Sequence, residues 1–172
     1  MYELHRLGWN SFQQLCQTIC REVLGQTVES FLDSNDAGKD GAFTGTWTPA
    51  PGEVYAGRFV IQCKFTAAAG HNLKPSDIKD EIEKVRKLVA AGQCDVYVLM
   101  TNAGVSGAQT AKVKALLAQA GVQHVLVFGS TWINQQVTER KSLRMHVPRM
   151  YGLGDLSQIL DERAYAQARA VL

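Results

Sequence analysis

Asp36-Ala37-Gly38-Lys39-Asp40-Gly41 is a glycine-rich turn carrying an acid, and a hairpin-sized gap later Ile61-Gln62-Cys63-Lys64-Phe65 returns as a strand. Side chains two residues apart on a strand share a face. Gln62 and Lys64 therefore look one way, and Ile61, Cys63 and Phe65 the other. The apolar neighbours Phe59, Val60, Ile61 and Phe65 mark a central strand, whose two faces are normally both apolar. Burying an amide and an ammonium on such a strand is costly unless they are used. Beside Asp40 the set suits metal-assisted phosphodiester hydrolysis. Asp40 would hold a divalent cation, Gln62 would line the metal–water site, and Lys64 would orient the attacking water or offset charge on the pentavalent phosphate. Alone, Asp40 also reads as a turn aspartate bonding its own backbone, and Gln62 with Lys64 as the exposed face of an edge strand.

Around these stretches the chain alternates helical and strand patterns. Ala42 to Trp47 and Gly57 to Phe65 form the arms of an antiparallel hairpin, separated by Thr48-Pro49-Ala50-Pro51-Gly52 as a loose loop. Upstream, Phe12, Leu15, Cys16, Ile19, Cys20 and Val23 recur at helical spacing, with Asn10 or Ser11 to cap the start and Gly25 to stop it. Val28 to Leu32 is a short strand candidate. Downstream, Ala67 to Leu73 is small and polar and is expected to be mobile. Pro75-Ser76-Asp77 starts a helix reaching about Ala91, with a core stripe of Ile78, Ile82, Val85, Leu88 and Val89. Lys79, Lys84, Arg86 and Lys87 read as its solvated face. Asp95 to Thr101 and Val122 to Phe128 are apolar runs, the pattern of strands buried on both faces, with a helix over Ala108 to Ala120 between them. Trp132 to Thr138 reads as a short closing helix. This order predicts an α/β fold of three layers, α/β/α, around a central mixed sheet of about five strands.

The chain has 172 residues, 46% of them hydrophobic and 20% charged, the make-up of an ordinary globular domain. A net charge of +2 gives no bulk argument for nucleic acid, so a DNA site has to be a local patch. No stretch reaches the roughly 18 apolar residues of a membrane span, and the start lacks an apolar signal core, so a cytoplasmic protein without membrane contact is expected. Cys16, Cys20, Cys63 and Cys94 lack a second pair at zinc spacing and read as packed free thiols. Trp47 and Trp132 read as packing residues.

In this order, after a helix and before a βαβα pattern, Asp40-Gly41 and Gln62-Cys63-Lys64 resemble the PD-(D/E)xK restriction-endonuclease-like superfamily, and within it the Mrr-type nuclease domain. The resemblance covers roughly residues 5 to 130. Phe12-Gln13 looks like that branch's helical Phe-Glu, whose acid joins the active site; here the acid is a glutamine. The resemblance implies a Mg²⁺-dependent DNA endonuclease, with Mn²⁺ as a substitute. Its catalytic residues would be Asp40, Gln62, Lys64 and Gln13, and its metal ligands Asp40, Gln62 and the carbonyl of Cys63. Lys39, His71 and Lys74 are placed to touch double-stranded DNA, and Asp36 to support Asp40 or a second metal.

The expected division is a nuclease domain over residues 1–138, then a basic, irregular linker and a final helix over 139–172 leading to a downstream domain. The segment Leu143 to Leu156 resembles the junction of bacterial STAND-type antiphage NTPases, which implies an effector domain activated by homo-oligomerisation through those downstream parts. Glutamines at positions 13 and 62 also fit a catalytically inactive nucleic-acid-binding module on the same fold, and a homotypic oligomerisation module is a third reading.

Overall fold

The hairpin is the spine of the molecule. In a computed structural model, which describes residues 1–25, 29–30 and 41–151, β2 (Gly41–Ala50) and β3 (Glu53–Lys64) pair antiparallel from Gly41↔Ile61 to Trp47↔Tyr55. Both strands run further than the sequence suggested. The expected loose loop is a tight turn at Pro51 and Gly52, with Gly52 at a φ of 85° that favours glycine. The ladder shifts register between Trp47 and Ala50 and resumes at Ala50↔Glu53. Such an irregularity is where a strand tolerates a proline, and Pro49 sits in it.

The sheet has the order β1-β2-β3-β4-β5, with β1 (Glu29–Ser30), β4 (Val96–Thr101) and β5 (His124–Phe128). β1 to β3 are antiparallel neighbours, and β3, β4 and β5 are parallel, so the sheet is mixed. Parallel neighbours need crossovers. α2 (Lys79–Ala90), entered through a 3-10 turn at Pro75–Ile78, leads into β4, and α3 (Gly107–Gln119) joins β4 to β5. β4 is buried along its whole length. β5 departs from the expectation of two buried faces. It ends the strand order, His124 is exposed, and Val125 and Val127 are half-buried.

Alternation along β3 and β4 divides the interior into two cores. Phe59, Ile61, Val96, Val98 and Met100 face α1 (Trp9–Leu24) and α4 (Ser130–Glu139). Val60, Tyr97 and Leu99 face α2 and α3, through Ile78, Val85, Leu88, Val113 and Leu117. The result is the three-layer α/β/α arrangement. Trp47 and Trp132 pack on Phe128, edge-on at 5.9 Å and stacked at 3.9 Å.

Ala67 to Leu73, expected to be mobile, is docked at both ends. Thr66 donates its N–H to the Asn102 Oδ1 at 2.8 Å, and the Asn102 amide donates to the Thr66 carbonyl at 2.6 Å. Leu73 is buried and donates its N–H to the Gly104 carbonyl at 2.8 Å. Beyond α4, the stretch read as irregular contains two short helices, α5 (Lys141–Arg144) and α6 (Val147–Met150). Leu143 of α5 is fully buried in the first core. The expected final helix lies outside the described residues. No helix among the described residues is long and apolar enough to cross a membrane.

Candidate active site

Lys64 is the last residue of β3, and its partner in the parallel ladder is Thr101, the last residue of β4. Open α/β sheets place ligands in the crevice beyond the carboxyl ends of parallel strands. A cavity of about 240 Å³ lies there, lined by Lys64, Thr66, His71, Asp77 and Thr101 among others. The chain leaving β3 is fixed by the paired Thr66–Asn102 hydrogen bonds, which ties the position of Lys64 to the end of β4.

The alternation of β3 puts Gln62 and Lys64 on the α2 side of the sheet, in line with Val60. Gln62 is half-buried. Lys64 reaches α2, its Nζ standing 3.5 Å from the Glu81 Oε1. Cys63 turns its side chain to the opposite face, against the α1 core. Only its main chain lies between Gln62 and Lys64. Gln13 is half-buried on α1, next to Phe12, whose ring lies 5.9 Å from Phe65. It therefore lies near the end of β3, but on a helix packed over the face opposite that of Lys64. Asp36, Lys39 and Asp40 lie outside the described residues.

Glu81 is the residue that sequence reasoning missed. The sequence reading assigns it neither to the core stripe nor to the solvated face of the helix. Yet Ile78 and Val85, three residues before it and four after, are both buried, so helical spacing puts Glu81 on the buried stripe. The residue is 6% exposed. A second cation, Lys84, stands 3.5 Å from its Oε2, and that oxygen accepts no hydrogen bond among the described residues. Arg86 pairs with Glu83 at 2.6 Å on the exposed side of the same helix.

His71 and Asp77 form a second polar pair on the cavity wall. The His71 Nε2 lies 2.9 Å from the Asp77 Oδ2, which also accepts the Lys74 backbone N–H at 2.8 Å. Burial by itself would raise the Asp77 pKa. The hydrogen bonds from His71 and from the Lys74 N–H, with the charges of both residues, outweigh it and hold the carboxyl below its ordinary value. The Lys74 residue is exposed beside this pair.

Among the described residues no three His, Cys, Asp or Glu side chains gather in a metal-binding group. The oxygen donors carried by the end of β3 are the Gln62 amide and the Cys63 carbonyl, and the Glu81 carboxylate stands 3.5 Å from the Lys64 ammonium that follows them. Hard oxygen donors suit Mg²⁺ or Mn²⁺ and not a thiolate metal site. The buried Glu81 Oε2, which lacks a hydrogen bond, fits the same class of ion.

Three of the cysteine thiols lie in the cores. Cys16 and Cys20 are buried in the α1 core, and Cys94 in the other.

No curated protein matches the chain. The restriction endonuclease family model Mrr_cat matches residues 4–130, a span that includes the five strands found among the described residues, both crossover helices and the Lys64 site. Restriction-endonuclease-like domains act on DNA, and PD-(D/E)xK nucleases usually use divalent metals. On that match and this fold, the chain belongs to the restriction endonuclease family Mrr_cat and carries a nuclease domain of that type.

Proposed function

We propose that this domain is a Mg²⁺-dependent endonuclease of double-stranded DNA whose hydrolytic centre is built from Asp40, Gln62 and Lys64. The observation that carries the reading is Lys64 itself: an ammonium at the carboxyl end of a central strand, on one face with Gln62 and opening onto a cavity. Asp40 precedes Gly41, the ladder partner of Ile61. Bonded Cα atoms stand about 3.8 Å apart, which supports a place for Asp40 beside Gln62.

Phosphodiesters are kinetically inert, so the centre has to stabilise a crowded, anionic transition state. Mg²⁺, when bound, polarises the phosphate and acidifies a water. Asp40, Gln62 and the Cys63 carbonyl would hold it. Lys64 sets its ammonium against the charge that builds on the phosphoryl oxygens, or orients the water that attacks. Its tie to Glu81 means that little reorganisation is needed when that charge develops. Lys39, His71 and Lys74 contact the DNA backbone, with His71 oriented by Asp77. Asp36 supports Asp40. Gln13, an amide on the other side of β3, takes a lesser part.

In the whole protein, the domain serves as the effector of a bacterial STAND-type antiphage NTPase and is switched on by homo-oligomerisation. The resemblance of residues 143–156 to the junction of such proteins supports this.

Plasmid relaxation tests the reading, on the chain alone and on the chain dimerised through a fused coiled coil. Nicking or linearisation is expected with Mg²⁺ or Mn²⁺, and none in EDTA. Cutting that survives EDTA, or no cutting by either form, overturns it.

A further inference from the structure

Hydrolysis has to take a proton from water, and the centre proposed above names no group to receive it. The amides at positions 13 and 62 take up no proton near neutrality. The Lys64 ammonium is paired with Glu81 at 3.5 Å. A histidine lines the same cavity as Lys64. His71 sits between β3 and α2 and is held at three points. Its N–H donates to the Ala68 carbonyl at 3.4 Å, its carbonyl accepts the Gly104 N–H at 2.8 Å, and its Nε2 lies 2.9 Å from the Asp77 Oδ2. The side chain is 31% exposed, open enough for water to reach the ring. Asp77 is held below its ordinary value, so its carboxylate is an ionised acceptor and a weak base. A carboxylate bonded to Nε2 fixes the hydrogen there and leaves the lone pair of the neutral ring on Nδ1. The turn into α2 does not need the ring, since Asp77 already caps it through the Lys74 N–H at 2.8 Å.

We infer that His71 is the general base of the hydrolysis, its Nδ1 taking the proton of the attacking water while Asp77 orients the ring. The inference rests on the nuclease reading above and gives His71 a task beyond contact with the DNA backbone. As one O–H bond of the water breaks, its proton passes to the Nδ1 lone pair. The electron pair left on the water oxygen forms the new bond to phosphorus. The ester P–O bond breaks with its pair on the leaving oxygen, which takes a proton from solvent. The Asp77 carboxylate stabilises the imidazolium as it forms, and the ring then returns its proton to solvent. Lys64 keeps its place on the same cavity, its ammonium set against the charge of the phosphoryl oxygens.

The test compares wild type, His71→Gln and His71→Gly, alone or dimerised, whichever form cuts plasmid. Single-turnover cleavage of a labelled duplex in Mg²⁺, anisotropy binding at the same salt concentration and thermal melts are measured. Glutamine places an amide N–H where Nε2 stood and keeps a donor for Asp77, but it accepts no proton. His71→Gln should bind duplex within about threefold of wild type and cleave it at least about 10²-fold more slowly. Cleavage by His71→Gly should be restored by added imidazole, and more strongly by more basic imidazoles. A further readout needs no cleavage. Long-range ¹H–¹⁵N correlations of the metal-free protein in mildly alkaline buffer, with the His71 signals assigned by their loss in His71→Gln, should place the hydrogen on Nε2. Wild-type cleavage by His71→Gln overturns the inference and leaves the nuclease reading standing. So does a fall in cleavage matched by the fall in affinity, a folded His71→Gly that no imidazole rescues, or a hydrogen on Nδ1. Should His71→Gly fail to fold, His71→Gln and the ring tautomer decide. Wild type that cuts in neither form overturns both.

Discussion

Lys64→Met separates catalysis from binding and from folding. Methionine keeps an aliphatic stem and removes only the ammonium. The Lys64 side chain is 33% exposed and faces a carboxylate that is 8% exposed, at 3.5 Å. At an effective dielectric constant of about 20, the gross attraction at that distance is about 5 kcal/mol. The net loss is much smaller. The lysine is partly hydrated, and Glu81 keeps Lys84. Exposed pairs are worth up to about 1 kcal/mol, and breaking a buried pair costs about 3–5 kcal/mol, so about 1–2 kcal/mol is expected here. For a domain of this size that lowers Tm by about 3–6 °C, so the variant should remain folded. Cleavage should fall by about 10²–10³-fold, the effect of removing one preorganised electrostatic group from a transition state. Duplex affinity should change by less than about threefold, because it comes from distributed phosphate contacts. Single-turnover cleavage of a labelled duplex in Mg²⁺, anisotropy binding at the same salt concentration, and a thermal melt measure the three effects. Cleavage at the wild-type rate by a folded variant would refute the assignment. Loss of affinity equal to the loss of cleavage would make Lys64 a binding residue only.

Gly57→Ala should destabilise the fold by at least about 2 kcal/mol in urea unfolding. Gly57 has a φ of 120°, and an added Cβ would lie 2.5 Å from the Asp95 Oδ2, which accepts the Arg58 N–H at 2.7 Å. A loss below about 0.5 kcal/mol would contradict that geometry. Asp77→Asn should lower stability at pH 7. The folded pKa of Asp77 lies below the unfolded value of about 3.9, so its contribution is present above that value and is lost as pH falls through the folded pKa. Urea melts of the two proteins should therefore converge below about pH 4, and a gap that persists there would refute it. Burial, with the charge of Asp95 adding, pushes the Cys94 thiol up to about 12, and burial with Cys63 nearby pushes Cys20 up as well. Both should resist Ellman's reagent at pH 8 until urea is added, whereas fast native labelling would show that the cores open.

The hairpin, the β4 run and the helical stripes were legible because each local pattern agrees with its packed surroundings. Val96 to Thr101 is apolar throughout because both faces of β4 are covered. Val122 to Phe128 is equally apolar but forms the last strand of the sheet, and sequence carries no mark of strand order. Thr48 to Gly52 read as a break because proline and glycine punctuate, whereas the register shift after Trp47 absorbs Pro49 within the strand. Gln62 and Lys64 stood out because polar residues on a central strand are costly. Glu81 did not, because a helix rich in charge hides one acid among several. Only its bracket of Ile78 and Val85 gave it away. The resemblance singled out Gln13 by position in the pattern, and nothing in that pattern says over which face of the sheet its helix packs.

Asp40, Gln62 and Lys64 are proposed to form one metal-dependent hydrolytic site. The most direct test is anomalous scattering from Mn²⁺ in crystals of the protein with a non-cleavable phosphorothioate duplex. One strong peak is expected beyond the carboxyl end of β3, bound by Asp40 and within about 3–7 Å of the Lys64 Nζ, the range of direct or single-water contact. Lys64 on the opposite sheet face from Asp40, or Mn²⁺ bound only elsewhere, would contradict it.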